Sequence, residues 1–308
     1  MKILSWNCRG LGNPRTVNTF RSWCWRDRPN IVFLMETMID KQALEKVKQK
    51  CGFVNGICLD SVGLSGGMGL WWNDVNVTVR SFSMHHVAVD VCDDNDDVLW
   101  RAVGVYGWPD TANKHQTWQL MRRLCAGDDT PMMVFGDFNE ITSLNEKFGG
   151  AIRGENHMDA FRNTIDDCEL RDLGYKGSVF TWQRGNSMAT LVKERLDRFL
   201  ANNGWMAMFP YSEVIHFPIY KSDHAPILLK FGKDKTRYKK GKLFRFEALW
   251  LSKEECAEVV AKAWKDWGSD AITVRVAGVA ASLSKWAHTT FGDLQKRITK
   301  AEKALHLL

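Results

Sequence analysis

No stretch of this sequence stays apolar for the ~20 positions a membrane-spanning helix requires, so no membrane association is expected. The opening residues reach polar Asn7 and Arg9 too early to form the apolar core of a secretion signal. Eight cysteines are present, yet none makes a Cys-x-x-Cys pair or a metal-ligand spacing. That excludes a zinc-ribbon or disulfide-stapled scaffold and points to reduced thiols used as core filler. A nuclear or cytoplasmic location, not a secreted one, is therefore expected. Internal repeats and low-complexity tracts are also missing.

What the chain does have is enough apolar material for a sizeable core: 308 residues, 45% of them hydrophobic, suit one large domain plus an appendage. Its net charge of +6 is unevenly spread. Residues 1–232 carry 26 Lys/Arg against 27 Asp/Glu, whereas residues 233–308 carry 16 against 9. The boundary opens on the basic run Lys233 to Lys242, which suits a solvated linker, a nuclear signal or a contact with RNA or DNA phosphates. The expected division is a domain over 1–232 and a basic linker with a helical extension over 233–308.

Along the first part, short apolar strands alternate with helical stretches. Strands are expected at Lys2–Trp6, Ile31–Met35, Gly69–Trp72, Val75–Phe82, His86–Val91, Val98–Val105 and Met132–Phe135. Further strands are expected at Val179–Trp182, Leu196–Leu200, Glu213–His216 and Ala225–Phe231. Helices are expected at Thr16–Arg26, Lys41–Lys50, Lys114–Leu124 and Met158–Cys168. Strands outnumber helices, which fits two packed sheets flanked by helices. Beyond the basic run, Ser252–Trp267, Ala271–His288 and Leu294–Leu307 have helical spacing. The first begins with a capping-box-like Ser252-Lys253-Glu254-Glu255, and Trp264, Trp267 and Trp286 look like one apolar face.

Polar residues stand at the carboxyl ends of four apolar strands, where a rigid sheet can hold reactive groups beside open loops. These are Asn7 after Ile3-Leu4-Ser5-Trp6, Glu36-Thr37 after Phe33-Leu34-Met35, Tyr106 after Val103-Gly104-Val105, and Gly136-Asp137-Phe138-Asn139. Ser222-Asp223-His224 precedes one expected strand, and Leu196-Asp197 opens another. Singly, each reads as readily as a turn, a cap or a solvated loop residue. Jointly they supply what phosphodiester hydrolysis needs: carboxylates for a hard cation, a group to orient water, phosphate donors, and a carboxylate-supported histidine.

In this order the segments resemble the exonuclease–endonuclease–phosphatase superfamily, which includes DNase I and the abasic-site endonucleases. The likeness spans Lys2 to about Phe231, and its most diagnostic parts are Gly136-Asp137-Phe138-Asn139 and Ser222-Asp223-His224. Within that superfamily the sequence is most similar to the endonuclease of plant non-LTR (LINE-type) retrotransposons. Met1 to Gly12, Phe33 to Thr37, Gly177 to Trp182 and Phe244 to Trp250 carry this likeness. In those elements a reverse transcriptase follows, and none lies within these 308 residues.

The resemblance implies an α/β fold, a four-layer α/β sandwich, with Mg2+ as cofactor (Mn2+ able to substitute). It assigns Glu36 and Asn7 to the metal, with Asp223 in the metal or water network. It makes Asp137 the group that orients or deprotonates water, Asn139 a phosphate donor, and Tyr106 a neighbour of the phosphate or leaving oxygen. His224 would stabilise the transition state while Asp197 fixes its tautomer. Arg9, Ser222 and Thr181 would touch phosphate oxygens. Abasic-site endonucleases carry an acidic residue where Arg9 stands, so Arg9 favours nicking of undamaged DNA. Tyr106-Gly107-Trp108-Pro109-Asp110 departs from the more usual Tyr-x-Pro-Asn by one residue. The expectation is a monomeric, DNA-cleaving endonuclease leaving a 3′-hydroxyl. The alternatives are a phosphatase or phosphodiesterase on small or lipid phosphates, and an inactive retroelement remnant that binds nucleic acid.

Overall fold

The computed structural model describes residues 1–62, 65–127, 129–233, 246, 248–266 and 272–291. The chain separates into two compact units, Met1–Arg237 and Tyr238–Leu308. In chain order the first unit runs β1 (Lys2–Asn7), α1 (Pro14–Asp27), β2 (Ile31–Met35), α2 (Lys41–Lys50), β3 (Asn55–Val62), β4 (Ser65–Trp72) and β5 (Asn76–Phe82). It continues through β6 (His86–Cys92), β7 (Val98–Tyr106), α3 (Lys114–Cys125), β8 (Met132–Asp137), β9 (Lys147–Phe148), α4 (Glu155–Asp167) and β10 (Leu170–Asp172). β11 (Trp182–Arg184), β12 (Val192–Glu194), β13 (Asp197–Asn202), α5 (Asn203–Met208), β14 (Tyr211–His216) and β15 (Ile227–Gly232) complete it.

Two six-stranded sheets result, ordered β14-β15-β1-β2-β4-β3 and β10-β13-β8-β7-β6-β5, with a small sheet β11-β12-β9 beside them. In each large sheet one central pair is parallel, β1 with β2 and β7 with β8, and the others are antiparallel. Parallel strands are covered on both faces, which is why β2 and β8 read as unbroken apolar runs. Successive side chains of a strand point to opposite faces, so each strand feeds two cores. Ile3, Ile31, Phe33 and Met35 pack inward against Ala102, Met133, Phe135 and Phe199 of the other sheet. Leu4, Trp6, Val32 and Leu34 face outward onto Phe20, Trp23 and Leu44 of α1 and α2. Val103, Val105 and Val134 do the same against Trp118, Met121 and Phe161 of α3 and α4. The architecture is the four-layer α/β sandwich.

The inward rows end in polar groups. Ile3 and Ser5 lead to Asn7, Met133 and Phe135 lead to Asp137, and Trp100, Ala102 and Gly104 lead to Tyr106. Close sheet packing demands glycine here: a Cβ on Gly104 would sit 2.8 Å from the Phe33 ring.

Some expectations need correcting. The strand expected at Val179–Trp182 begins only at Trp182, because Ser178 and Thr181 turn their backbone and hydroxyl groups to neighbouring segments. β3 and the short strands β9, β10 and β12 were not expected. In the second unit a 3-10 turn (Ala248–Ser252) precedes α6 (Glu255–Asp266) and α7 (Ile272–Phe291). Ser252 does not cap a helix: its hydroxyl donates back to the Leu249 carbonyl. Trp250, Cys256, Leu283 and Ala287 form that unit's core, and Trp286 meets Trp250 edge-on at 6.3 Å. Trp264 stays outside this core, 39% exposed beneath the Arg275 guanidinium. Trp267, the helix expected at Leu294–Leu307 and the basic run after Lys233 lie outside the described residues. No helix among the described residues is long and apolar enough to cross a membrane.

Candidate active site

At one end of the sandwich the carboxyl ends of β1, β2, β7 and β8 converge. Asn7 is fully buried, and its orientation is set by its Oδ1, which accepts the Arg9 backbone N–H at 3.3 Å. The opposite face of the amide, Nδ2, donates to Glu36 Oε1 at 2.8 Å and to Asp137 Oδ2 at 2.9 Å. Tyr106 donates its hydroxyl to the same Glu36 oxygen at 2.9 Å. Two residues far apart in sequence, Glu36 and Asp137, are thus joined through one amide.

Asp137 continues the network. Its Oδ2 lies 3.7 Å from His224 Nε2, and His224 Nδ1 lies 3.0 Å from Asp197 Oδ2. Burial pushes the Asp137 carboxyl up to about 6, with the His224 charge pulling against it. For His224, burial alone would lower the pKa, but Asp197 and Asp137 together outweigh it and push the imidazole up to about 9. Burial and the nearby Glu36 and Asp137 push the Tyr106 hydroxyl up, so it keeps its proton and acts as a hydrogen-bond donor. Asp197 is itself set in place by Thr181, whose hydroxyl oxygen accepts the N–H groups of Leu196 and Asp197, each at 3.0 Å.

A second cluster lies beside it. Asp223 pairs with Arg9 and accepts the Trp182 indole N–H at 3.0 Å. Ser222 donates its hydroxyl to the Asn7 carbonyl at 2.8 Å and accepts the His224 N–H at 3.1 Å. The Trp6 indole donates to the His224 carbonyl at 3.2 Å.

Three residues of the site have unusual backbone geometry. Arg9, Glu36 and Asn139 all adopt left-handed φ, at 43°, 49° and 54°. Such conformations are held by their surroundings and gather where function requires them. Gly136 has φ of 135°, and a Cβ there would fall 2.0 Å from the Val105 carbonyl oxygen, so the residue before Asp137 must be glycine.

All eleven residues singled out in the sequence fall in this region, with different degrees of freedom. Glu36 is only partly buried, and Arg9 reaches into solvent. Asn139 spends its side-chain amide on the Gly107 carbonyl at 2.9 Å. Thr181 is fully buried, and its hydroxyl oxygen serves the backbone that carries Asp197, with no exposed face for a phosphate. Ser222 likewise links Asn7 to His224. Trp182 and Trp6 were not expected at the site. An indole N–H aimed at Asp223 or at a loop carbonyl leaves no spacing pattern in a sequence.

The donor set suits a hard divalent cation. Glu36 makes no ion pair among the described residues, and its hydrogen-bonded oxygen meets neutral donors only. Glu36 and Asp137 offer carboxylate oxygens, as such cations prefer, and Asn7 adds its own oxygen only if its amide turns over, since Nδ2 faces both carboxylates. Asp137, Asp197 and His224 also converge, with one ligand atom each within 4.8 Å of the others, and can hold an ion. There, however, the Asp197 oxygen and His224 Nδ1 are already bonded to each other at 3.0 Å. The Glu36 carboxylate, which meets only neutral donors, is the better match.

A sequence model described as the Endonuclease/Exonuclease/phosphatase family matches residues 4–224. No curated protein matches the chain. Among solved structures, the AP endonuclease LMAP from Leishmania major is similar at a TM-score of 0.59 and 12% identity, covering 75% of this chain and 88% of that one. The 3′-5′ exonuclease NExo from Neisseria meningitidis matches at 0.56 and 18% identity, over 76% of this chain and 100% of that one. The endonuclease domain of TRAS1, a telomere-specific non-LTR retrotransposon, matches at 0.52 and 14% identity, over 76% and 99%.

Proposed function

Because the chain belongs to the endonuclease/exonuclease/phosphatase family, we propose that it is a divalent-cation-dependent endonuclease that nicks undamaged DNA and leaves a 3′-hydroxyl. The observation that carries this reading is the line Asp197–His224–Asp137–Asn7–Glu36, hydrogen-bonded at every step but the 3.7 Å approach of His224 to Asp137. Its completeness favours turnover over a role limited to binding nucleic acid. Likeness to the TRAS1 endonuclease and the guanidinium of Arg9, in a position that abasic-site enzymes make acidic, favour a retrotransposon type of nicking.

Glu36, and Asn7 once its amide turns its oxygen to the same side, would hold Mg2+ or Mn2+, and a bound cation would supply charge neutralisation at the phosphate. The remaining work falls to side chains. Asp137, pushed up to about 6, takes the proton of the attacking water near neutral pH. His224, charged and held by Asp197, donates Nε2–H to a phosphate oxygen as negative charge builds. The water oxygen bonds to phosphorus as the phosphorus–O3′ bond breaks; the departing O3′ takes its proton from bulk water, and the Tyr106 hydroxyl, turned from Glu36, would hydrogen-bond to it. Arg9 exchanges Asp223 for the phosphate of the incoming strand.

The test is relaxation of supercoiled plasmid with Mg2+, with and without EDTA, beside His224→Ala. Metal-dependent nicking lost in the variant supports the reading. A well-folded wild type that leaves plasmid intact but hydrolyses a small phosphate ester would move the protein to phosphatase chemistry.

A further inference from the structure

A buried lysine is costly to desolvate and persists only where its ammonium has fixed partners. Lys114 opens α3 and is 3% exposed. Its Nζ donates to the Asn139 carbonyl at 2.6 Å and to Glu140 Oε2 at 2.7 Å. Glu140 is wholly buried, and its other oxygen accepts the Ile141 N–H at 3.0 Å. Arg153 approaches Glu140 at 3.2 Å and also pairs with Glu194, which Lys147 contacts in turn. The charges therefore run from the start of α3, past the loop after β8, to the small sheet, where Glu194 stands opposite Trp182.

As a source of stability this arrangement is poor, since an apolar pair of similar volume often does as well. What it supplies is a donor of fixed direction at one carbonyl. Asn139 is held at three points: its N–H donates to Asp137 Oδ1 at 2.9 Å, its side chain to Gly107, and its carbonyl accepts from Lys114. Its left-handed backbone, with φ of 54°, needs such anchoring. The first of these bonds orients the Asp137 carboxylate. A displacement of Asn139 is thus passed directly to the group that meets water.

We propose that Lys114 is a positioning residue for the reaction, acting through the Asn139 carbonyl to fix the Asp137 carboxylate. This rests on the phosphodiesterase reading above. Lys114 touches no substrate.

Two full-length variants separate positioning from simple charge pairing. Lys114→Met leaves Glu140 buried beside Arg153 alone and lowers both Tm and turnover. Lys114→Met/Glu140→Gln removes both charges and recovers Tm. If Lys114 positions Asn139, the double variant still shows kcat reduced about a hundredfold at unchanged KM, and faster hydrogen exchange at the Asn139 amide. Recovery of kcat together with Tm, and wild-type exchange at Asn139, would reduce Lys114 to an ion-pair partner and overturn the proposal. Should the wild type turn over no phosphodiester, the proposed function fails, while the exchange of Asn139 still decides this inference.

Discussion

The hydroxyl oxygen of Thr181 accepts the backbone N–H of Asp197 at 3.0 Å, fixing the point where β13 delivers its carboxylate to His224. Leu196 gives its N–H to the same oxygen. Thr181→Val has nearly the same shape but leaves two buried donors unpaired, at a cost of about 1–3 kcal/mol each. Thermal unfolding should show a lower Tm, and initial rates a lower kcat with KM unchanged. A Thr181→Val enzyme equal to wild type in both would mean that Asp197 is held by its strand alone.

Asp197→Asn keeps the shape of the pair and removes the largest charge holding His224 protonated. The folded pKa of His224, about 9, lies above its ordinary 6.5. Its contribution to stability is therefore complete below pH 6.5 and is lost as pH rises through about 9. In the variant the His224 imidazole should titrate at lower pH in metal-free NMR spectra. The decline of stability between pH 6.5 and 9 should shrink with it. An unmoved imidazole titration would assign the raised pKa to Asp137 alone.

Gly136→Ala should fail to reach the native state, because the new methyl would enter the Val105 carbonyl across the parallel β7–β8 pair. Far-UV and near-UV circular dichroism of the purified variant decide this. Native-like spectra with an unshifted Tm would show that the pair can spread at no cost.

Acid should attack the fold in two stages. Burial keeps His216 neutral and pushes it down to about 4, so its share of stability is lost as pH falls from 6.5 toward 4. Burial would raise Glu146, yet the guanidiniums of Arg198 and Arg195 outweigh it and hold the carboxyl down to about 2. That share is present above pH 4.5 and is lost as pH falls toward 2. Glu146→Gln strips the fully buried Arg198 of one carboxylate partner and should cost about 3–5 kcal/mol at pH 7. Urea titrations at pH 7, 5 and 3 read out both effects. A Glu146→Gln protein with wild-type stability at pH 7 would show that Asp172 alone suffices for Arg198.

The sequence was legible where one residue's surroundings are local. Ile31–Met35 and Lys41–Lys50 match their observed limits because an apolar run and a cap at Asp40 are both written nearby. β3 escaped because Gly56 and Asp60 interrupt its apolar pattern, and it is held at the sheet edge by main-chain pairing with β4. The strands of two or three residues elsewhere carry too little pattern to register. At the site, strand-end residues such as Asn7, Glu36 and Asp137 could be found because strand ends are readable. That Thr181 serves Asp197, that Trp182 serves Asp223, and that Lys114 reaches Asn139 depend on folding in three dimensions. Hydrogen bonds between residues 15 to 41 positions apart leave no periodic trace.

β1 lies between β2 and β15, and its residues Lys2 to Ser5 pair with Lys230 to Ile227. On the ribosome this means that a strand made early waits for one made more than two hundred residues later before its sheet can close. Until then β1 presents an open edge, and Asn7 and Glu36 have no His224 beside them. A nascent domain therefore holds an incomplete site until β15 arrives, and a premature stop before residue 224 leaves Asp137 and Asp197 without the histidine between them.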